Sequence, residues 1–135
     1  MEIERWKPSQ VTKVEGRNLP FDALARACGI DTRNRQQVGR LTKALKDIRG
    51  YFAEEVGTPS DLHVTPARWE HGLALAIESR VQLYRRRFPR AECTPTAISA
   101  WWHQLAAQAV IDTRAAAVTR SALDMMFGRR TSDEA

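Results

Sequence analysis

The stretch Tyr84–Trp102, YRRRFPRAECTPTAISAWW, decides how this chain folds. Three consecutive arginines close a long amphipathic pattern, and Pro89 then breaks the helix because its ring removes a backbone donor. Thr94 and Pro95 restart one: the threonine hydroxyl can accept from first-turn amides, and proline at the first helical position has no amide to leave unpaired. The stretch therefore predicts helix, short connector, helix, with arginines before the break and two tryptophans after it.

Apolar periodicity extends this pattern over the rest of the chain. Residues that recur at three and four positions predict helices over Pro20–Cys28, Arg35–Glu55 and Pro66–Arg87, and a fourth that begins at Pro95. Turn-forming residues in Val56–Val64 predict a loop. No strand-like alternation is present, so we predict a compact all-α domain of four to five helices.

The ends of the chain carry weaker patterns. We predict an N-terminal arm over residues 1–18, a helical domain over 19–128 and a flexible tail over 129–135. Near Ile111 the apolar phase slips. Either the fourth helix continues, or Asp112 or Thr113 begins a fifth that ends near Phe127.

The composition is that of a globular protein. The chain has 135 residues, of which 43% are hydrophobic and 27% charged. No apolar run approaches the ~20 residues of a membrane span, and the start MEIERWKPSQ lacks the apolar segment of a signal peptide. These features predict a cytoplasmic protein with no membrane partner. Cys28 and Cys93 fall in helical or helix-entry patterns, which predict buried thiols.

The net charge of +5 is unevenly distributed. Residues 33–50 hold six basic residues against Asp47 alone, and residues 80–90 hold five arginines and no acid. Two basic segments on an otherwise acidic chain predict a polyanion or an acidic protein surface as the partner. The alternative is that these arginines only solvate two helix faces.

Sequence motifs for catalysis are missing. The three histidines and two cysteines show no metal-ligand spacing. No glycine loop that cradles phosphate and no hydrolase motif is found. We therefore predict a protein that is not an enzyme and that needs no metal or cofactor.

The opening stretch resembles the C-terminal module of bacteriophage replication-initiation (replisome organiser) proteins. Its shared elements, in order, are Arg85-Arg86-Arg87, Phe88-Pro89, the connector Arg90-Ala91-Glu92-Cys93, Thr94-Pro95-Thr96-Ala97 and Trp102. The upstream FDALARACGID and RNRQQVGRLTKALKDIR are similar to the first two helices of that module. The resemblance implies a DNA-replication accessory protein in a bacterial host cell. By the same resemblance, we expect it to bind DNA or an acidic component of the replication machinery, such as the helicase or its loader.

Two other functions are possible, and the first concerns the first two predicted helices. Ala25 and Gly29 have the spacing of a helix-turn-helix, which suggests a transcriptional regulator, although the connector is longer than the strict motif allows. An ordinary helical hairpin is the alternative. The third possibility is a phage protein that captures a host protein. The sequence does not indicate an oligomeric state.

The candidate binding residues come from the two basic segments and the tryptophan pair. Either both tryptophans belong to the core, or one is an exposed anchor for a partner helix or a nucleobase. The predicted nucleic-acid or partner-binding residues are Arg35, Arg40, Lys43, Lys46, Arg80, Arg85, Arg86, Arg87, Trp101 and Trp102.

Overall fold

The computed structural model describes residues 6–108, and these form a bundle of helices. The elements are α1 (Leu19–Cys28), α2 (Arg35–Val56), α3 (Pro59–Leu62), α4 (Pro66–Arg87) and α5, which begins at residue 95 and continues to 108. Within this range no strand forms, and the one sheet-like pairing is an isolated bridge between Val14 and Arg17. The all-α prediction is confirmed. The predicted fifth-helix start at Asp112 and the tail lie outside the described residues.

A first compact unit of the chain ends at His103, and a second begins at Gln104. Every contact described below lies within the first unit.

Polar caps explain why the helix boundaries agree with the sequence pattern. The side chains of Asn18, Asn34, Thr65 and Thr94 each accept a hydrogen bond from an amide in the first turn of the helix that follows. Gly29 ends α1 with a φ of 64°, the left-handed conformation that glycine adopts without steric cost. The bounds of α4 are those predicted, while α1 begins one residue earlier and α2 ends one residue later.

The predicted loop over Val56–Val64 is wrong in one respect, because it contains the one-turn helix α3. Asp61 N donates to Thr58 Oγ1 at 3.2 Å, and Thr58 N donates to Asp61 Oδ2 at 3.0 Å, a reciprocal capping box. The backbone bond from Thr58 also lowers the pKa of Asp61. Trp69 Nε1 donates to the carbonyl of Gly57 at 2.9 Å. A single turn is too short to show an apolar period. The only sequence signals for α3 are its capping residue and Pro59, and these residue types also occur in loops.

The core lies between α1, α2, α4 and the start of α5. Its fully buried side chains are Leu24, Leu41, Ile48, Leu73, Ile77, Val81, Ile98 and Trp102. The apolar positions that recur along the predicted helices supply all of these residues. Phe88 continues the same apolar period at the end of α4 but is not buried. It is the C-cap residue and is 40% exposed, although its ring contacts Tyr84 with centroids 5.1 Å apart.

The helix-turn-helix-like hairpin is not confirmed. Helix α1 packs mainly against α4 and less against α2. The connector over residues 29–34 separates α1 from α2, which is longer than the turn of the strict motif.

Residues 6–18, which belong to the predicted N-terminal arm, contact the helices. The ring of Trp6 packs edge-on against Trp69, with centroids 5.1 Å apart. Pro8 approaches Gly50 so closely that its Cγ would lie 3.7 Å from a Cβ at that position. The segment is therefore packed against α2 and α4.

A buried ion pair joins this segment to the helices. Arg49 Nη2 lies 2.7 Å from Glu70 Oε1, and the two side chains are only 3% and 2% exposed. Arg49 also donates to the carbonyl of Gln10 at 3.0 Å, and the Thr12 amide donates to Glu70 Oε1 at 2.9 Å. Glu70 Oε2 has no hydrogen-bond partner in the described part of the chain. The periodicity placed Arg49 beside the apolar stripe, whereas its charge lies inside.

The stripe of α2 predicted Leu45 and Ile48 as core residues, and both are buried. We expect Ile48→Ala or Leu45→Ala to lower the free energy of unfolding by about 2–4 kcal/mol, because each change leaves a cavity in a packed core. Urea denaturation followed by circular dichroism measures this. Leu75→Ala, at a side chain that is 53% exposed, is the control and should change stability by less than about 0.5 kcal/mol. An equally small effect at Ile48 would contradict the prediction.

Candidate nucleic-acid interface

The solvent side of α2 carries four of the predicted binding residues. Arg35, Arg40, Lys43 and Lys46 are all exposed. None of them forms an ion pair with another residue in the range 6–108. Their charges are therefore available to an external anion.

A groove runs between α2 and the first turns of α5, and we call it the α2–α5 groove. Its volume is about 420 Å³. Its lining residues are Arg40, Lys43, Ala44, Asp47 and Tyr51 from α2, with Thr96, Ser99 and Ala100 from α5. Alanine, serine and threonine at the contact have short side chains, which leave the space between the helices open.

A second cleft of about 360 Å³ lies next to the groove. The two spaces share Arg40 and Thr96, so these residues lie at the junction. The second cleft reaches Cys28 at the end of α1 and Cys93 in the connector before α5. Arg40 thus borders both spaces.

An aromatic pair stands at the opposite end of the α2–α5 groove. The rings of Tyr51 and His103 have centroids 5.0 Å apart and are tilted by 42°. Tyr51 is half-buried and His103 exposed. Neither residue was among the predicted binding residues, because Tyr51 lies off the apolar stripe and its partner is on another helix.

Two polar side chains in the groove have no partner in the described residues. Ser99 is only 7% exposed, yet its hydroxyl makes no hydrogen bond there. Asp47 is exposed and unpaired, one helical turn from both Lys43 and Tyr51. The groove therefore offers two cations, one carboxylate and one hydroxyl to a ligand.

The two cysteines meet in the second cleft. Cys28 Sγ lies 3.8 Å from Cys93 Sγ, and both residues are half-buried rather than buried as predicted. Burial, followed by the adjacent Cys93, raises the pKa of Cys28 to about 12, while the charge of Arg85 lowers it slightly. Cys28 therefore stays protonated near neutral pH. Cysteines so far apart in the chain give no sequence signal of their contact.

Arg85 brings the second basic segment to this region. Its guanidinium donates to the carbonyl of Ala27 in the last turn of α1, next to Cys28. Since Cys28 lines the same cleft as Arg40, the two basic segments approach one another here. The other two arginines of this turn, Arg86 and Arg87, are exposed, and no contact in the described range places them at the groove.

Arg80 and Trp102, two of the predicted binding residues, make contacts within the protein, where Arg80 is partly exposed and Trp102 is buried. Arg80 Nη2 lies 2.6 Å from Glu55 Oε2, and its guanidinium stands 4.4 Å from the centre of the Trp102 ring. Trp102 is fully buried and donates from Nε1 to Glu55 Oε1 at 2.7 Å. Trp101 is half-buried, with its ring edge-on to Tyr84 at 5.5 Å. Trp102 thus belongs to the core, and Trp101 lies at its rim.

Among residues 6–108, no group of three or more histidine, cysteine or carboxylate side chains is placed to hold a metal ion. No helix in that range is long and apolar enough to cross a membrane.

Comparison of the chain with protein-family models, curated proteins and solved structures gives no match. The chemistry of the groove and of the α2 surface is therefore the basis for a functional interpretation.

Proposed function

We propose that this protein binds nucleic acid through the exposed basic side of α2 and the α2–α5 groove, as a phage-type DNA-replication accessory protein. The observation that carries the proposal is the set of four exposed cations on α2 without ion-pair partners in the described chain. Arg85, bound to the Ala27 carbonyl beside Cys28, adds an exposed charge from the other basic segment near the second cleft. The replication setting is supported by the resemblance of Tyr84–Trp102.

Phosphate groups suit this surface better than a small anion does. Cations spaced along a helix can each meet a different phosphate of an extended backbone. Each such contact releases a condensed counterion, so affinity falls steeply as salt rises. Contacts of this kind position the nucleic acid without selecting its sequence.

We expect Arg40→Gln/Lys43→Gln to weaken DNA binding and to flatten its salt dependence. Loss of two phosphate contacts should reduce the slope of log affinity against log salt by roughly 1.5–2. The measurement is fluorescence anisotropy of labelled DNA between about 50 and 200 mM salt.

The control is Arg17→Gln/Arg68→Gln, which makes the same change in charge. Both residues are exposed: Arg17 precedes α1 and forms a surface ion pair with Asp22, and Arg68 lies in the first turn of α4. This variant should keep most of the slope. If both double variants behave alike, the effect reflects net charge only. If the wild-type protein binds no DNA at low salt, the proposal is wrong.

A second candidate function is the capture of an acidic replication protein, such as the helicase or its loader. A mainly apolar cleft of about 520 Å³ on the other side of Lys43 favours it. Phe21, Leu45 and Val11 line this cleft, and Lys43 and Lys46 stand beside them. Capture of the partner from host lysate should survive nuclease treatment, whereas capture through DNA should not. The regulator alternative lacks support, because its helix-turn-helix is not confirmed.

A further inference from the structure

We propose that the α2–α5 groove takes single-stranded nucleic acid, with a base stacked on Tyr51 and the backbone phosphate at Arg40 and Lys43. This inference rests on the proposed nucleic-acid binding and names the form of nucleic acid that the site selects. The groove, its aromatic end and its unpaired polar groups carry it.

The order of side chains along α2 separates the phosphate and base positions. Arg40, Lys43, Asp47 and Tyr51 follow each other at spacings of three and four, so they share one side of the helix. At a rise of 1.5 Å per residue, Tyr51 lies about 12 Å along the axis from Lys43. Cations thus stand at one end of the groove and an aromatic ring at the other.

Tyr51 is positioned to stack with a base. Its ring lines the groove, and His103 packs against it at 5.0 Å, which limits its movement. Aromatic side chains that alternate with cations are the usual means by which proteins bind single strands. Bases in a duplex are already stacked on their neighbours and must leave the helix to reach a concave pocket. The arrangement therefore favours an unpaired strand.

The polar groups between the two ends add a preference among bases. Asp47 lies one turn from Tyr51 and has no ion-pair partner in the described residues. A carboxylate accepts a hydrogen bond from the amino group of cytosine, which thymine lacks. It also repels phosphate, which keeps the backbone at the Arg40 end. The unpaired hydroxyl of Ser99 on the groove floor can donate or accept a further hydrogen bond. We infer that the groove prefers cytosine to thymine.

The test compares oligo(dC), oligo(dT) and a duplex of equal length by fluorescence anisotropy at low salt. Tyr51→Leu keeps an apolar side chain but removes the aromatic face, and Tyr51→Phe retains that face. We expect Tyr51→Leu to weaken single-strand binding about tenfold, as loss of one stacked base does. Tyr51→Phe should bind like the wild type, and duplex binding should be the same in all three proteins.

Asp47→Asn provides a second variant on an exposed side chain, which leaves the core intact. It should reduce the preference for oligo(dC) over oligo(dT). Equal binding of single strand and duplex by the wild type, or unchanged single-strand binding by Tyr51→Leu, would overturn the inference. Salt-dependent DNA binding that is lost in Arg40→Gln/Lys43→Gln would still support the proposed function in that case. Absence of binding to all three probes would refute both.

Discussion

Replacing Glu70 by alanine is expected to lower the free energy of unfolding by about 3–5 kcal/mol, because it leaves the charge of Arg49 buried without its partner. Both side chains are almost completely enclosed. Glu70 Oε1 also accepts from the Thr12 amide, so the change removes a bond that ties residues 6–18 to α4. Urea denaturation at neutral pH, followed by circular dichroism, gives the loss.

The control for this prediction is Arg49→Met/Glu70→Leu, which replaces the pair by apolar side chains of similar volume. Such exchanges are often neutral or stabilising, because the cost of desolvating two charges disappears together with their attraction. We therefore expect the double variant to be far more stable than Glu70→Ala. A loss below about 1 kcal/mol for Glu70→Ala would mean that Arg49 reaches water in solution.

Trp102→Ala is expected to destabilise the protein by about 3–5 kcal/mol, since it removes a fully enclosed indole. The same change removes the hydrogen bond from Trp102 Nε1 to Glu55 and the contact between the Arg80 guanidinium and the indole ring. The stability of the variant is measured by urea or thermal denaturation.

Two variants separate volume from polar contacts at this position. Trp102→Phe keeps much of the apolar volume and loses the hydrogen bond to Glu55, so its cost should be smaller than that of alanine. Trp101→Ala, at the rim of the core, should also cost less. Equal losses for Trp101→Ala and Trp102→Ala would contradict the assignment of core and rim.

Local signals in the sequence were sufficient to predict the long helices. Thr65-Pro66 and Thr94-Pro95 mark helix starts because a cap and an N-terminal proline act within one turn. Stripes such as that of α2 identify the buried side because burial follows the period of the helix. Neither signal states which residues of two helices meet. The ion pairs of Arg49 and Arg80 could not be predicted for this reason. Arg49 on α2 pairs with Glu70 on α4, and Arg80 on α4 pairs with Glu55 on α2.

Of the candidate site, only the charged residues Arg40 and Lys43 could be predicted from the sequence. Arg40 and Lys43 stand out in the sequence because they belong to a basic segment. The groove they border forms only when α5 packs beside α2, and Tyr51, Asp47 and Ser99 become part of a site through that packing. No periodicity within one helix reports a space between two helices.

The capping box of α3 limits where a reporter group can be inserted into the chain. The segment over residues 56–64 joins two 22-residue helices and would seem a natural insertion point. Its carbonyl at Gly57 is held by Trp69, and its capping box is closed by Thr58 and Asp61, so added residues would break several bonds at once. The turn at Glu15 and Gly16 is exposed instead, its two reciprocal backbone bonds join Val14 and Arg17 outside the helices, and Gly16 has open space around it. A fluorophore or epitope placed there would leave both the core and the groove intact.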